Sequence, residues 1–312
     1  MDIPRKEHPK PQFRRDNWIN LNGQWAFEID NGRSGIARGL CKSDAVLSGS
    51  ITVPFCPQSQ LSGVNHKDFI YGVWYQRKVD ITPDQLCGRV FLHFGAVDNH
   101  CQVFVNGEKA GGHTGGYVSF KLDITEFAKP GENVITVYAE DDERDPMIPR
   151  GKQSEMFFSH GCDYTRTTGI WQTVWMEFAP NTHIEKVKII PNLDEGSFFI
   201  TADLAGFDTF KVEATYEGKS VGQACVKAVN SQATVNLPLS EIHLWELGKG
   251  RLYDLTFTYG EDVVHSYAGL RSVGLSGRKF LLNGKSVFQR TVLDQGFYPD
   301  GIYTAPSDEA LI

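Results

Sequence analysis

The sequence predicts an all-β chain: a jelly-roll β-sandwich, then an immunoglobulin-like β-sandwich, then a short C-terminal stretch. Three observations carry this. Apolar residues recur at a period of two rather than 3.6. Asn-Gly pairs sit between apolar runs, which is the strongest short-range hairpin signal. Helical patterning is almost absent before residue 305.

The elements follow in order. Val90-Phe91-Leu92-His93-Phe94 and Val134-Ile135-Thr136-Val137-Tyr138 are apolar on both faces, as central strands of a sandwich are. Val103-Phe104-Val105 runs into Asn106-Gly107, a strand and its turn. Gly111-Gly112-His113-Thr114-Gly115-Gly116-Tyr117 reads as a tight connection between strands rather than a phosphate loop, because no parallel strand and helix flank it. Phe210, Val212, Ala214 and Tyr216 alternate with Lys211, Glu213, Thr215 and Glu217, giving a sheet with one wet face. Tyr253, Leu255, Phe257 and Tyr259 repeat the pattern, and Phe280-Leu281-Leu282-Asn283-Gly284 repeats the turn device. Boundaries near Ala179-Pro180 and Ser276-Gly277 divide the chain into 1–180, 181–275 and 276–312. The middle piece has the size of an immunoglobulin-like sandwich, and the first suits a jelly roll. Ser307 followed by Asp308 and Glu309 has the form of a helix start. A helix of about one turn has no stability of its own, so the chain is expected to be cut inside a larger protein.

Composition narrows the function. Apolar residues are 41%, and counting the 31 Gly but not the 11 Tyr brings this to about 47%, enough for real cores. The formal charge of −7 argues against a nucleic-acid partner, which needs a basic face. No run of about 18 apolar residues exists, so no membrane partner is expected. Met1-Asp2-Ile3-Pro4-Arg5 leads into no apolar signal core. The cysteines at 41, 56, 87, 101, 162 and 225 are irregularly spaced and form no CxxC. Reduced thiols in a cytoplasmic protein are therefore expected.

Residues 141–168 lack any period, yet hold Met156, Phe157, Phe158 and Tyr164. Loops of such length are usually functional or disordered, and this composition suits an ordered, function-bearing one. Asp141-Asp142-Glu143-Arg144-Asp145 lacks the Gly and spacing of a calcium loop and reads as a solvated acidic turn. His160-Gly161-Cys162-Asp163 has metal-ligand types but no second cluster of matching spacing, so no metal site is expected. No HExxH, GxSxG or phosphate loop occurs. The six tryptophans could stack on sugars, but a core role is the default. No complete catalytic set is visible.

A resemblance carries the reading further. Leu21-Asn22-Gly23-Gln24-Trp25-Ala26-Phe27, Val53-Pro54, Val73-Trp74-Tyr75-Gln76-Arg77 and Phe94-Gly95-Ala96-Val97-Asp98 resemble the opening motifs of glycoside hydrolase family 2, the β-galactosidase and β-glucuronidase family. Val105-Asn106-Gly107, His113 to Tyr117 and Asp123-Ile124-Thr125 continue the match, and Thr168-Gly169-Ile170-Trp171-Gln172-Thr173-Val174 is similar to the strand that closes the first domain. Leu244-Trp245, Leu252-Tyr253 and Gly269-Leu270-Arg271-Ser272-Val273 match the end of the second. The match covers nearly the whole chain in order.

The resemblance implies a sugar-binding jelly roll, an immunoglobulin-like sandwich and the first strand region of a (β/α)8 barrel at 276–312. It implies a retaining exo-glycosidase as the intact protein, with a carbohydrate substrate, no required cofactor and self-association. The general acid and nucleophile, two barrel glutamates, would lie beyond residue 312, so no catalytic residue is expected here. An acid six places before the closing glycine contacts substrate in the family; the matching residue is Asp163, before Gly169. Relatives carry an Arg-His-Glu or similar run just inside the barrel, where this chain has Leu293-Asp294-Gln295-Gly296, and Asp294 is the expected replacement contact. The alternative is a non-catalytic carbohydrate-binding or scaffold protein of two sandwiches.

Overall fold

The structure is a computed structural model that describes residues 3–142 and 144–312. Met1 and Asp2, where the expected absence of a signal segment begins, and Glu143 of the acidic turn lie outside the described residues. The chain is nearly all β and forms two compact units.

The first unit spans residues 1–9, 18–178 and 295–312. One sheet has four strands in the order Trp18–Asn20, Val174–Ala179, Arg89–Phe94, Phe120–Asp123. The other has six, in the order Gly49–Val53, Gly23–Ile29, Gly72–Ile81, Gly131–Glu140, His100–Val105, Glu108–Thr114. Trp25, Tyr75, Val103 and Val137 from the larger sheet pack with Leu92, Phe94, Val174 and Met176 from the smaller in one buried cluster, which makes a sandwich. The both-faced apolar runs at 90–94 and 134–138 are its inner strands, as their composition requires. Trp25, Trp74 and Trp175 are at most 1% exposed, so these three indoles are core and not sugar platforms.

The hairpin at Asn106-Gly107 forms as its sequence dictates: both residues have positive φ, 54° and 89°, which is the type I′ requirement. The glycine-rich run that follows is a correction. Gly111 to Thr114 is not a connection but most of an edge strand, Glu108–Thr114, paired to His100–Val105. A Cβ on Gly112 would lie 2.5 Å from the Cys101 carbonyl oxygen, so the strand approaches its neighbour too closely for any side chain there.

The second unit spans residues 10–17 and 179–294. Strands His183–Asn192, Ser197–Ala205 and Gln232–Pro238 form one sheet, and Lys219–Lys227, Thr209–Tyr216, Tyr253–Tyr259 and Asp262–Ala268 form the other. Phe198 and Ile200 meet Phe210, Val212 and Phe257 in its core, the apolar sides of the alternating runs. Val273–Ser276, Lys279–Leu282 and Lys285–Ser286 form a small antiparallel sheet turned at Asn283-Gly284.

The polypeptide does not divide linearly. Residues 10–17 join the second unit because Arg14 pairs its backbone with His265 and Arg15 buries its guanidinium on Asp262. Residues 295–312 join the first because Phe297, Ile302 and Tyr303 pack with Cys56, Ala96 and Trp171. The helix start at Ser307 is also corrected. Residues 305–312 form bends and a turn rather than a helix, with the Ser307 hydroxyl accepting from the Ala310 amide at 3.4 Å.

Candidate functional site

Residues 141–168 leave the strand Gly131–Glu140 and return at Gly169–Ile170. The described residues among them form no long strand, yet their framework is buried. Gln153, Ser154, Arg166, Thr167 and Thr168 are at most 1% exposed. Gln153 clamps the two ends of the segment. Its Oε1 accepts from the Thr167 amide at 2.6 Å, and its Nε2 donates to Asp98 Oδ2 at 2.7 Å and to the Tyr117 hydroxyl at 3.2 Å. Arg166 donates to the carbonyls of Ser154, Met156, Phe157 and Lys67, while its guanidinium lies 4.4 Å above the Phe69 ring. Tyr164 stacks on Phe297 at 4.3 Å and donates to Gln295 Oε1 at 2.8 Å. A loop without periodicity is thus fixed by buried side chains, which is how a scaffold presents binding residues.

Asp98 is the inner end of this framework. A Cβ on Gly116 would stand 1.9 Å from Asp98 Oδ1, and the Gly116 carbonyl accepts from the Trp171 indole at 2.8 Å. Gly116→Ala is therefore expected to cost about 1–3 kcal/mol as an overpacking change, read by denaturant unfolding of the purified chain. A loss below about 0.5 kcal/mol would mean that Asp98 can swing aside. Burial raises the Tyr117 and Tyr303 hydroxyls above the ordinary tyrosine range, so both stay protonated donors.

Asp163 sits at the outer end. Its side chain is 27% exposed, and its backbone exchanges two hydrogen bonds with His160, at 3.1 and 2.8 Å. Asp163 Oδ2 faces His160 Nε2 at 3.8 Å, and Glu155 Oε1 faces the same nitrogen at 3.9 Å. Glu155 also pairs with Arg150 at 3.0 Å. Its own backbone N–H, opposed by burial and helped by the Arg150 and His160 charges, holds the Glu155 carboxyl below its usual range. The donor atoms of Glu155, His160 and Asp163 lie within 4.8 Å of one another, a set of metal-binding type. Positive charge already comes from Arg150 and from His160 when protonated, so the set reads as an ion-pair network.

Sequence reasoning singled out Asp163 and the loop, but missed Glu155, Gln153 and Asp98. His160 was visible only as a metal-type residue. The i to i+3 spacing of His160 and Asp163 was the available signal; Asp98 is 55 residues from Gln153 and gave none. Asp294 lies in the second unit, exposed, in a stretch without strand structure. The acidic turn differs from expectation at Asp141, which is 4% exposed. Asp142 and Asp145 cap the amides of Arg144 and Met147, the work of turn residues.

Family models now add a decisive finding. Residues 19–180 match the sugar-binding domain of glycosyl hydrolases family 2, and residues 182–271 match a second domain described as glycosyl hydrolases family 2. The chain belongs to glycoside hydrolase family 2. A β-galactosidase of Thermoanaerobacter pseudethanolicus is 29% identical to this family 2 chain over 173 residues, covering 54% of it and 21% of the relative. A β-glucuronidase of Streptococcus agalactiae is 23% identical over 292 residues, covering 87% of the chain and 46% of the relative. The fold is shared with the apo structure of a β-glucuronidase from Ruminococcus gnavus, at a TM-score of 0.79 and 19% identity, over 97% of this chain and 53% of that one. The Lactobacillus rhamnosus β-glucuronidase gives 0.77 and 22%, over 93% and 51%. This family 2 chain therefore spans about half or less of the length of these relatives.

Proposed function

We propose that this chain is the substrate-holding, non-catalytic N-terminal part of a retaining exo-glycosidase that hydrolyses O-glycosyl bonds. The single observation that carries the reading is the tandem family 2 match over 19–180 and 182–271. Asp163 supports it, as an acid at the family's substrate-contact spacing, raised on a buried clamp and partly exposed to solvent. In this reading the first sandwich is the family's jelly roll, the second is its immunoglobulin-like domain, and 276–312 leads into the (β/α)8 barrel. The barrel supplies a protonated Glu to the leaving oxygen and a second Glu, about 5 Å away, as nucleophile. The carbohydrate is bound by Asp163 and, by position, Asp294. No cofactor enters this chemistry.

The reading includes a reducing, cytoplasmic setting, on the irregular cysteine spacing of the sequence. Burial pushes the Cys56 thiol up to about 11 and the Cys101 thiol up to about 12, so neither is a reactive thiolate. Association through the sandwiches follows the family resemblance alone.

The purified 312-residue chain is expected to fold, since each unit has its own core, and to release no product from a panel of aryl glycosides. Turnover that persists through repeated purification would place the bond-breaking pair inside this chain and end the reading. In the intact protein, proton NMR of the first-formed sugar should show the anomer of the substrate.

A further inference from the structure

We propose that His160 is a positioning residue for Asp163, aimed by the buried Ser154 hydroxyl. The inference rests on the reading of Asp163 as a substrate contact and adds the group that controls it.

The proton count fixes the imidazole. Ser154 is fully buried, and its hydroxyl lies 2.9 Å from the Phe158 carbonyl, which can only accept. The single hydroxyl proton is spent there. Ser154 Oγ also accepts from the Met156 amide at 3.1 Å. His160 Nδ1 sits 3.1 Å from the same oxygen and must therefore be the donor. Nδ1 therefore carries a proton, and Nε2 is the nitrogen left to face the carboxylates.

Nε2 faces two carboxylates, Asp163 Oδ2 at 3.8 Å and Glu155 Oε1 at 3.9 Å. Arg150 meets Glu155 at 3.0 Å, and the Phe158 ring lies edge-on to the imidazole at 6.3 Å. Arg150 thus compensates Glu155, whereas the cation aimed at Asp163 is His160. Protonated, the imidazolium holds Asp163 Oδ2 and leaves Oδ1 to accept from a sugar hydroxyl. Neutral, its Nε2 lone pair points at two anions and turns Asp163 away. The two backbone bonds between His160 and Asp163 keep the groups together in both states.

Two substitutions separate positioning from simple support of the loop. His160→Asn places an amide donor where Nδ1 was, so it keeps the Ser154 bond and loses the face toward Asp163. His160→Gln places its amide where Nε2 was, so it keeps a non-titrating donor toward Asp163. In the full-length enzyme, His160→Asn is expected to raise KM roughly tenfold with kcat within about twofold and an unchanged melting temperature. His160→Gln should restore most of that loss. Combining His160→Asn with Asp163→Asn should be no worse than the poorer single variant. If Asp163→Asn impairs binding while both His160 variants keep the wild-type KM, His160 is a bystander. If His160→Gln is the damaged variant and His160→Asn is not, the imidazole only supports the loop. A silent Asp163→Asn overturns the substrate-contact reading itself, and this proposal with it.

Discussion

Replacing Asp163 by Ala in the full-length enzyme is expected to lower kcat/KM on its best aryl glycoside by roughly 10- to 150-fold. An ionised carboxylate accepting from a hydroxyl is worth about 1.5–3 kcal/mol, and each 1.4 kcal/mol or so is a decade. The loss should fall on function and not on folding. Asp163 is 27% exposed, and its ion pair with His160 is a 3.8 Å contact at the protein surface, a class worth about 0–1 kcal/mol. The segment is held by Gln153 and Arg166, which the substitution leaves in place. Asp163→Asn should lose less, because its amide oxygen still accepts. Paired measurements of kcat/KM and thermal unfolding decide the matter. An Ala variant within about twofold of wild type, or one damaged mainly in stability, makes Asp163 a structural residue.

Arg15→Met should cost the second unit about 3–5 kcal/mol, the loss found when one partner of a buried ion pair is removed. Arg15 Nε and Nη2 donate to Asp262 Oδ1 and Oδ2, each at 2.8 Å, in a two-pronged pair whose side chains are 6% and 2% exposed. Arg15 Nη2 also donates to the Ile184 carbonyl at 2.6 Å, and Asp262 Oδ2 accepts from the Ile184 amide at 2.8 Å. Methionine fills much of the volume but leaves the Asp262 carboxylate in the interior without its counter-charge and takes the Arg15 donor from the Ile184 carbonyl. The double variant Arg15→Met with Asp262→Leu should regain part of the loss, though the Ile184 amide then lacks its acceptor. Urea unfolding of the purified chain gives both values. A single-variant cost under about 1 kcal/mol would show that the pair behaves like a surface salt bridge.

Local order was legible wherever one face of a strand is wet. The alternation at 210–216 and 253–259 gave strand, face and core residues together, because period two admits no other structure. The Asn-Gly turns were legible for the same reason: few residues tolerate positive φ. Gly111 and Gly112 misled because glycine is disfavoured in strands, and only the approach of the Cys101 carbonyl explains it there. The helix start at Ser307 carried a capping signal that is real locally, since the hydroxyl does accept from Ala310, but no helix follows to be capped. The site itself was half legible. Asp163 came from spacing within one motif, whereas its supports join residues 55, 99 and 131 positions apart, through Gln153 to Asp98, Arg166 to Lys67 and Tyr164 to Gln295. No local pattern encodes such pairings. The bond from Arg15 to Asp262, 247 positions apart, is the same case in the second unit.

In the proposed function, this family 2 chain holds the sugar through Asp163. A crystal structure of the full-length enzyme with a competitive sugar-like inhibitor tests it most directly. An Asp163 carboxylate oxygen is expected at about 2.5–3.0 Å from an inhibitor hydroxyl, with Gln153 still bonded to Asp98 and Thr167. An inhibitor bound in the barrel with the Asp163 carboxylate turned to solvent, beyond about 4 Å from every sugar oxygen, would contradict it.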